Sequence, residues 1–171
     1  MIPSLALILA AGSCGDIPAR PARSTFPALA RPAIVHADTQ PSLSAKHREA
    51  DGLAFTGKFN KARTMYLAVI AVMDSSAIFP GEVLWSLASM EFGRSRELSA
   101  AAILDRLADA SVRYGRPEWQ ARALLEAGLL YQNHGRTDLS VDRARRLKPL
   151  LSSPAISASE RAQMAERVAM K

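Results

Sequence analysis

The side chains able to do chemistry are few in this 171-residue chain: three histidines, one cysteine and a scatter of carboxylates. Nucleophilic catalysis needs Ser, Cys or Thr beside a positioned base. His36 lies in a proline-rich stretch, and His134 stands directly before Gly135, where histidine suits the last turn of a helix better than catalysis. His47, near Glu49 and Asp51, lacks the two-histidine spacing of a helical metal site. Asp105 and Asp109 are one helical turn apart, the spacing of a paired-acid site, yet Arg106 and Arg113 flank them. A solvent-facing charged stripe is the commoner meaning of that pattern. There is no phosphate-binding glycine loop and no cofactor or metal motif, so a non-catalytic protein is expected.

Two features suit binding. Asp142-Arg143-Ala144-Arg145-Arg146-Leu147-Lys148 is a basic stretch in which Arg143, Arg146 and Lys148 share part of one helical face while Ala144 and Leu147 turn inward. It could meet phosphate, a lipid headgroup or an acidic protein, or be a soluble helix with cations near its C-terminus. Trp85 and Trp119 each open a helical stretch and suit either a ligand anchor or packing between helices, the latter being the expected role. Net charge is +6 and the pI is near 10.0, which permits an anionic partner without selecting one.

The elements that position these groups begin late. Residues 15–42 hold five of the ten prolines and read as a tether without packed elements. From residue 43 the apolar spacing is helical: Phe59, Ala62, Tyr66, Val69, Met73, then Ala100, Ile103, Leu107, Ala110, Tyr114, then Leu124, Ala127, Leu130, Tyr131. Pro80 and Pro117 mark first turns, Thr137 is a candidate N-cap, and Ser157-Ala158-Ser159-Glu160 reads as a capping box opening a last helix. No segment alternates like a strand. An all-α domain over 43–171 is predicted.

The helices fall into pairs. Gly57-Lys58-Phe59-Asn60-Lys61-Ala62-Arg63-Thr64-Met65-Tyr66 resembles the turn and second helix of a tetratricopeptide repeat, and Gly128-x-x-Tyr131-x-x-x-Gly135 resembles its first helix and turn. Aligned on the small residue of the first helix, Ala50, Ala88 and Gly128 are 38 and 40 residues apart, against about 34 for the standard repeat. An alternative register in the first pair uses Gly52. In the second helices Ala62, Ala100 and Ser140 match, then Tyr66, Leu104 and Ala144. Glu91 falls in a slot where the repeat shows an aromatic, which predicts that Glu91→Leu is tolerated.

The resemblance implies antiparallel helix pairs stacked as a short right-handed array of about three pairs, with a C-terminal capping helix. It also implies a concave surface lined by first helices. By the alignment that groove holds His47, Asp51, Trp85, Ser89, Phe92, Arg122, Leu125, Leu129, Gln132 and Asn133, a mixture suited to an extended peptide. A protein or peptide is the expected partner, with nucleic acid a second possibility through the basic face.

The first fourteen residues carry a separate signal. Leu5-Ala6-Leu7-Ile8-Leu9-Ala10-Ala11 is a short apolar core, and Ala11-Gly12-Ser13-Cys14 resembles a bacterial lipoprotein signal. That resemblance implies export, lipidation of the Cys14 thiol and anchoring at the envelope membrane, the alternative being a cytoplasmic chain.

Overall fold

The computed structural model describes residues 41–169. The signal-like segment, Cys14, His36 and the tether up to residue 40 lie outside the described residues. Seven helices follow one another, with no strand among the described residues: α1 Pro41–Phe55, α2 Phe59–Ser75, α3 Gly81–Gly93, α4 Glu97–Arg113, α5 Pro117–Asn133, α6 Thr137–Leu150 and α7 Ala158–Ala169. From α1 to α6 each helix packs on its neighbour in sequence, α1 also touches α3, and α7 packs on α5. This is an all-α repeat array.

The repeat is visible in the turns. Five helices end alike, with one residue at positive φ followed by an N–H that reaches back five residues. Lys58 N donates to Leu53 O at 2.9 Å, Ile78 to Met73 at 2.8 Å, Arg96 to Glu91 at 3.0 Å, Arg116 to Ser111 at 2.8 Å and Arg136 to Tyr131 at 2.8 Å. The positive-φ residues are Gly57, Ala77, Ser95, Gly115 and Gly135. Those inside pairs recur at intervals of 38 and 40, and those between pairs at 38, the spacing read from the small residues.

Two of these turns hold a residue that carries a Cβ where glycine is favoured. Exposed Ser95 sits at φ 57°, a conformation that costs an L residue about 1 kcal/mol. Ser95→Gly is therefore expected to raise stability by about 0.5–1 kcal/mol after the larger entropy of the unfolded glycine chain is offset. Urea denaturation reads it, and a loss of stability would show that the Ser95 side chain contributes a contact outweighing the strain.

The core is built from small residues at helix crossings and large ones between them. Ala50, Ala62, Ala88 and Ala100 are fully buried, and Gly128 lets α6 approach so closely that an added Cβ would stand 3.4 Å from that of Arg143. Nothing lies within 4 Å of a Cβ on Gly52, so Ala50 sets the register of the first pair. Trp119 is buried with its ring edge-to-face against Phe79 and Trp85, at centroid distances of 5.9 and 6.0 Å. Both tryptophans are packing residues.

Three expectations need correction. Thr137 is the first residue of α6 rather than its cap; Arg136 precedes it, and no side chain caps that end. Ala144 is exposed, because α6 is rotated to bring Ser140, Arg143 and Leu147 toward α4 and α5 instead. Glu91 is not a degenerate aromatic slot but a fully buried carboxylate held by arginines. The capping box does form: Ser157 N donates to Glu160 Oε2 at 3.1 Å, and Glu160 N donates to Ser157 Oγ at 3.2 Å.

Candidate functional site

The candidate groove residues share the first-helix side of the array and separate into buried and open groups. His47 on α1 meets Ser86 on α3 at 3.1 Å and lies 3.7 Å from Asp51, which accepts a 2.6 Å bond from the Tyr66 hydroxyl. Ser86 is the residue after the position one repeat on from His47, so this contact joins corresponding turns of successive first helices. Trp85 and Leu125 are buried. Ser89, Phe92 and Leu129 are half-buried, while Gln132 and Asn133 at the end of α5 are exposed.

Arg122 is only 2% exposed, because α7 lies against it. Its guanidinium donates to Glu160 of α7, and one turn along α5 the nearly buried Glu126 accepts two bonds from Arg167, one of them at 2.9 Å. Ile156 and Met164 are buried beside these bridges. Burial alone would raise the Glu160 pKa, but hydrogen bonds from Ser157 and Arg122 outweigh it and hold the carboxyl below its ordinary value. The last helix thus covers Arg122, one of the residues expected in the groove, while Gln132 and Asn133 are exposed.

The basic face is neutralised from within the fold. Arg143 grips Asp105 of α4 through Nε at 2.8 Å and Nη2 at 2.6 Å, and its guanidinium stacks 5.3 Å from the Tyr131 ring centre. That carboxylate also accepts the Tyr131 hydroxyl at 2.8 Å. Burial, then the Asp105 charge and hydrogen bond, push the Tyr131 pKa up to about 12, while the Asp105 bond raises that of Arg143. Arg146 pairs with Asp109 at 2.7 Å. The two acids that the sequence offered as a catalytic pair are therefore counter-ions for two of the three basic-face residues. Lys148 is exposed. His134 lies 2.9 Å from Glu97 at a helix end, in keeping with its expected terminal role.

Sequence reasoning missed two features. One is the cluster around Glu91, where Arg63 Nη1 donates at 2.8 Å and Arg94 and Arg96 stand at 3.8 and 3.7 Å. Arg94 also stacks 4.7 Å from the Phe59 ring centre. Only its position in the repeat, an acid inside an otherwise apolar stripe, could have flagged it. The other is an apolar groove of about 790 Å³ on the outer face of α1 and α2, lined among others by Leu43, Leu53, Met65, Ala68 and Val72 with Lys46 and Glu49 on α1. Among the described residues, no group of His, Cys, Asp and Glu could hold a metal ion, and no helix is long and apolar enough to cross a membrane.

No protein-family model, curated protein or solved structure matches the chain.

Proposed function

We propose that the protein is a tetratricopeptide-like interaction module that binds a protein or peptide along its first-helix side, without catalysis of its own. The observation that carries this reading is the repeat-spaced stacking of first helices. His47 meets Ser86 across 39 residues, and Arg122 meets Glu160 across 38. Contacts about one repeat length apart thus join α1 to α3 and α5 to α7, and stacked repeats of this kind present a continuous surface. Along that side Asp51, Gln132 and Asn133 are exposed with His47, Phe92 and Leu129 half-buried beside them. Amide groups next to apolar anchors suit the backbone and side chains of an extended segment.

The nucleic-acid alternative draws less support. Affinity for phosphate rests on cations free to replace counterions, and here Arg143 and Arg146 already hold Asp105 and Asp109. Envelope location is proposed from residues 5–14 alone, with Cys14 as the lipid acceptor.

The test has two arms. Fractionation of cells expressing the full chain is expected to recover it with membranes, and Cys14→Ser to release it; soluble recovery of an uncleaved chain would sink the export reading. Among proteins crosslinked to the full chain, the partner is expected to be lost with Gln132→Ala plus Asn133→Ala and kept with Arg145→Glu plus Lys148→Glu. The reverse pattern would move the site to the basic face.

A further inference from the structure

The three turns that join the two helices of each pair lie side by side along one edge of the array. Arg63 near the start of α2 reaches Glu91 near the end of α3, 2.8 Å away, and His134 after α5 reaches Glu97 at the start of α4, 2.9 Å away. In each of these turns the residue at positive φ is followed by a cation at the N-cap of the next helix: Lys58 after Gly57, Arg96 after Ser95 and Arg136 after Gly135. All three cations are exposed, and none makes a side-chain capping bond. A cation at a helix N-terminus opposes the helix dipole and leaves the first amides uncapped. Its recurrence at repeat spacing does nothing for the fold and suits an anion outside it.

The rest of that edge has the same sign. With Lys61, Arg63 and Arg94 it holds six cations against three acids, Glu91, Glu97 and Asp138. Glu91 is buried among arginines, Glu97 faces His134, and Asp138 stands 3.9 Å from Arg136. On the opposite edge Arg113 and Arg116 are balanced by Glu82 and Glu118 in the first turns of α3 and α5. Beside the cations two apolar side chains stand out into solvent, Phe55 at 76% exposed and Leu98 at 42%. A basic face with projecting aromatic and aliphatic groups fits the surface of an anionic bilayer, where cations meet headgroup phosphates and apolar groups enter the acyl boundary. The bases of a nucleic acid stack on aromatic rings and would leave Leu98 without a partner.

We infer that the edge formed by these three turns is a membrane-docking surface, in which Lys58, Arg96 and Arg136 contact anionic lipid headgroups while Phe55 and Leu98 enter the interface. It lies in the folded helices and does not depend on an anchor at Cys14.

Co-sedimentation of the full chain carrying Cys14→Ser with lipid vesicles tests it free of any lipid anchor. Binding to vesicles of mixed phosphatidylglycerol and phosphatidylcholine is expected, weakening as salt is raised. Pure phosphatidylcholine vesicles are expected to bind at least about tenfold more weakly. Each basic residue at an anionic surface contributes about fivefold in partitioning, so adding Lys58→Glu plus Arg136→Glu is expected to weaken binding by about twentyfold or more. The urea midpoint should hold or rise, because acids suit helix N-termini. Arg145→Glu plus Lys148→Glu, the same change of charge farther along α6, is expected to leave binding within about twofold. Phe55→Trp is expected to add an emission that shifts to the blue on anionic vesicles, over the buried Trp85 and Trp119. A chain that ignores anionic vesicles overturns the inference. Equal binding to neutral vesicles does so too, by assigning it to the apolar segment at residues 5–11, and equal losses in the two charge pairs would reduce it to net charge alone. An emission that stays put overturns the entry of Phe55. Binding of a single-stranded oligonucleotide in place of vesicles, lost with Lys58→Glu plus Arg136→Glu, would make the edge a nucleic-acid surface and the inference fails.

Discussion

Replacing Glu91 by leucine is expected to cost the folded chain about 2–4 kcal/mol. Leucine is close to glutamate in volume and more apolar, so burial alone would favour the change. The cost comes from what surrounds the site. Glu91 is fully buried, and three guanidinium groups converge on it, from Arg63, Arg94 and Arg96. Arg63 and Arg96 are about half exposed and can turn into water when the carboxylate goes. Arg94 cannot do so as easily, because its side chain is 16% exposed and lies over Phe59. Removing Glu91 therefore strands one mostly buried cation and loosens the bond from Arg63 that ties α2 to α3. Adding Arg94→Met to Glu91→Leu is expected to recover part of the loss, since an apolar pair in place of a buried ion pair can approach neutrality. Urea denaturation of both variants is the measurement. A Glu91→Leu chain as stable as wild type would mean that the carboxylate is dispensable and that the slot behaves as the repeat pattern alone suggested.

That disagreement shows where the sequence is legible and where it stops being so. Helix period, the small residues Ala50, Ala88 and Gly128, and the turn glycines are one-dimensional signals, and they place the helix pairs and their spacing in advance. The capping box at Ser157 is local as well and forms as read. Side-chain pairing across a repeat is different. Arg143 with Asp105 and Arg122 with Glu160 each join residues 38 positions apart, and nothing local distinguishes such cations from solvated ones. The same blindness affected Ala144, whose exposure depends on how α6 is rotated against α4 and α5. The resemblance implies only that a groove would follow the first helices. Nothing local shows that α7 covers Arg122 on the last of them, because Glu160 and Arg167 look like ordinary surface charges of an amphipathic helix.

Cutting the bridge at Arg122 is expected to free α7 while the rest of the array stays folded. Arg122→Met keeps most of the apolar stem but removes the guanidinium that Glu160 accepts from. A charge-assisted bond to a largely buried arginine contributes on the order of 1.5–3 kcal/mol. α7 has little else to hold it: Met164 and Ile156 are buried, and Arg167 reaches Glu126. Amides of residues 158–169 should then exchange at least about tenfold faster, the factor for 1.4 kcal/mol of local stability, with α3, α4 and α5 unchanged. Acid should act at the same place. The Glu160 carboxyl is held below its ordinary pKa in the folded chain, so its contribution is complete at neutral pH. It drains away as pH falls below the ordinary carboxylate value toward the lowered one. In the wild type, exchange in α7 should therefore quicken on acidification before it quickens elsewhere, beyond the intrinsic pH effect on exchange, and Arg122→Met should largely remove that dependence. Uniform loosening of all seven helices by Arg122→Met would show that α7 is inseparable from the core. If instead α7 leaves alone, the α5 face that carries residue 122 and Glu126 becomes accessible while the other helices keep their packing.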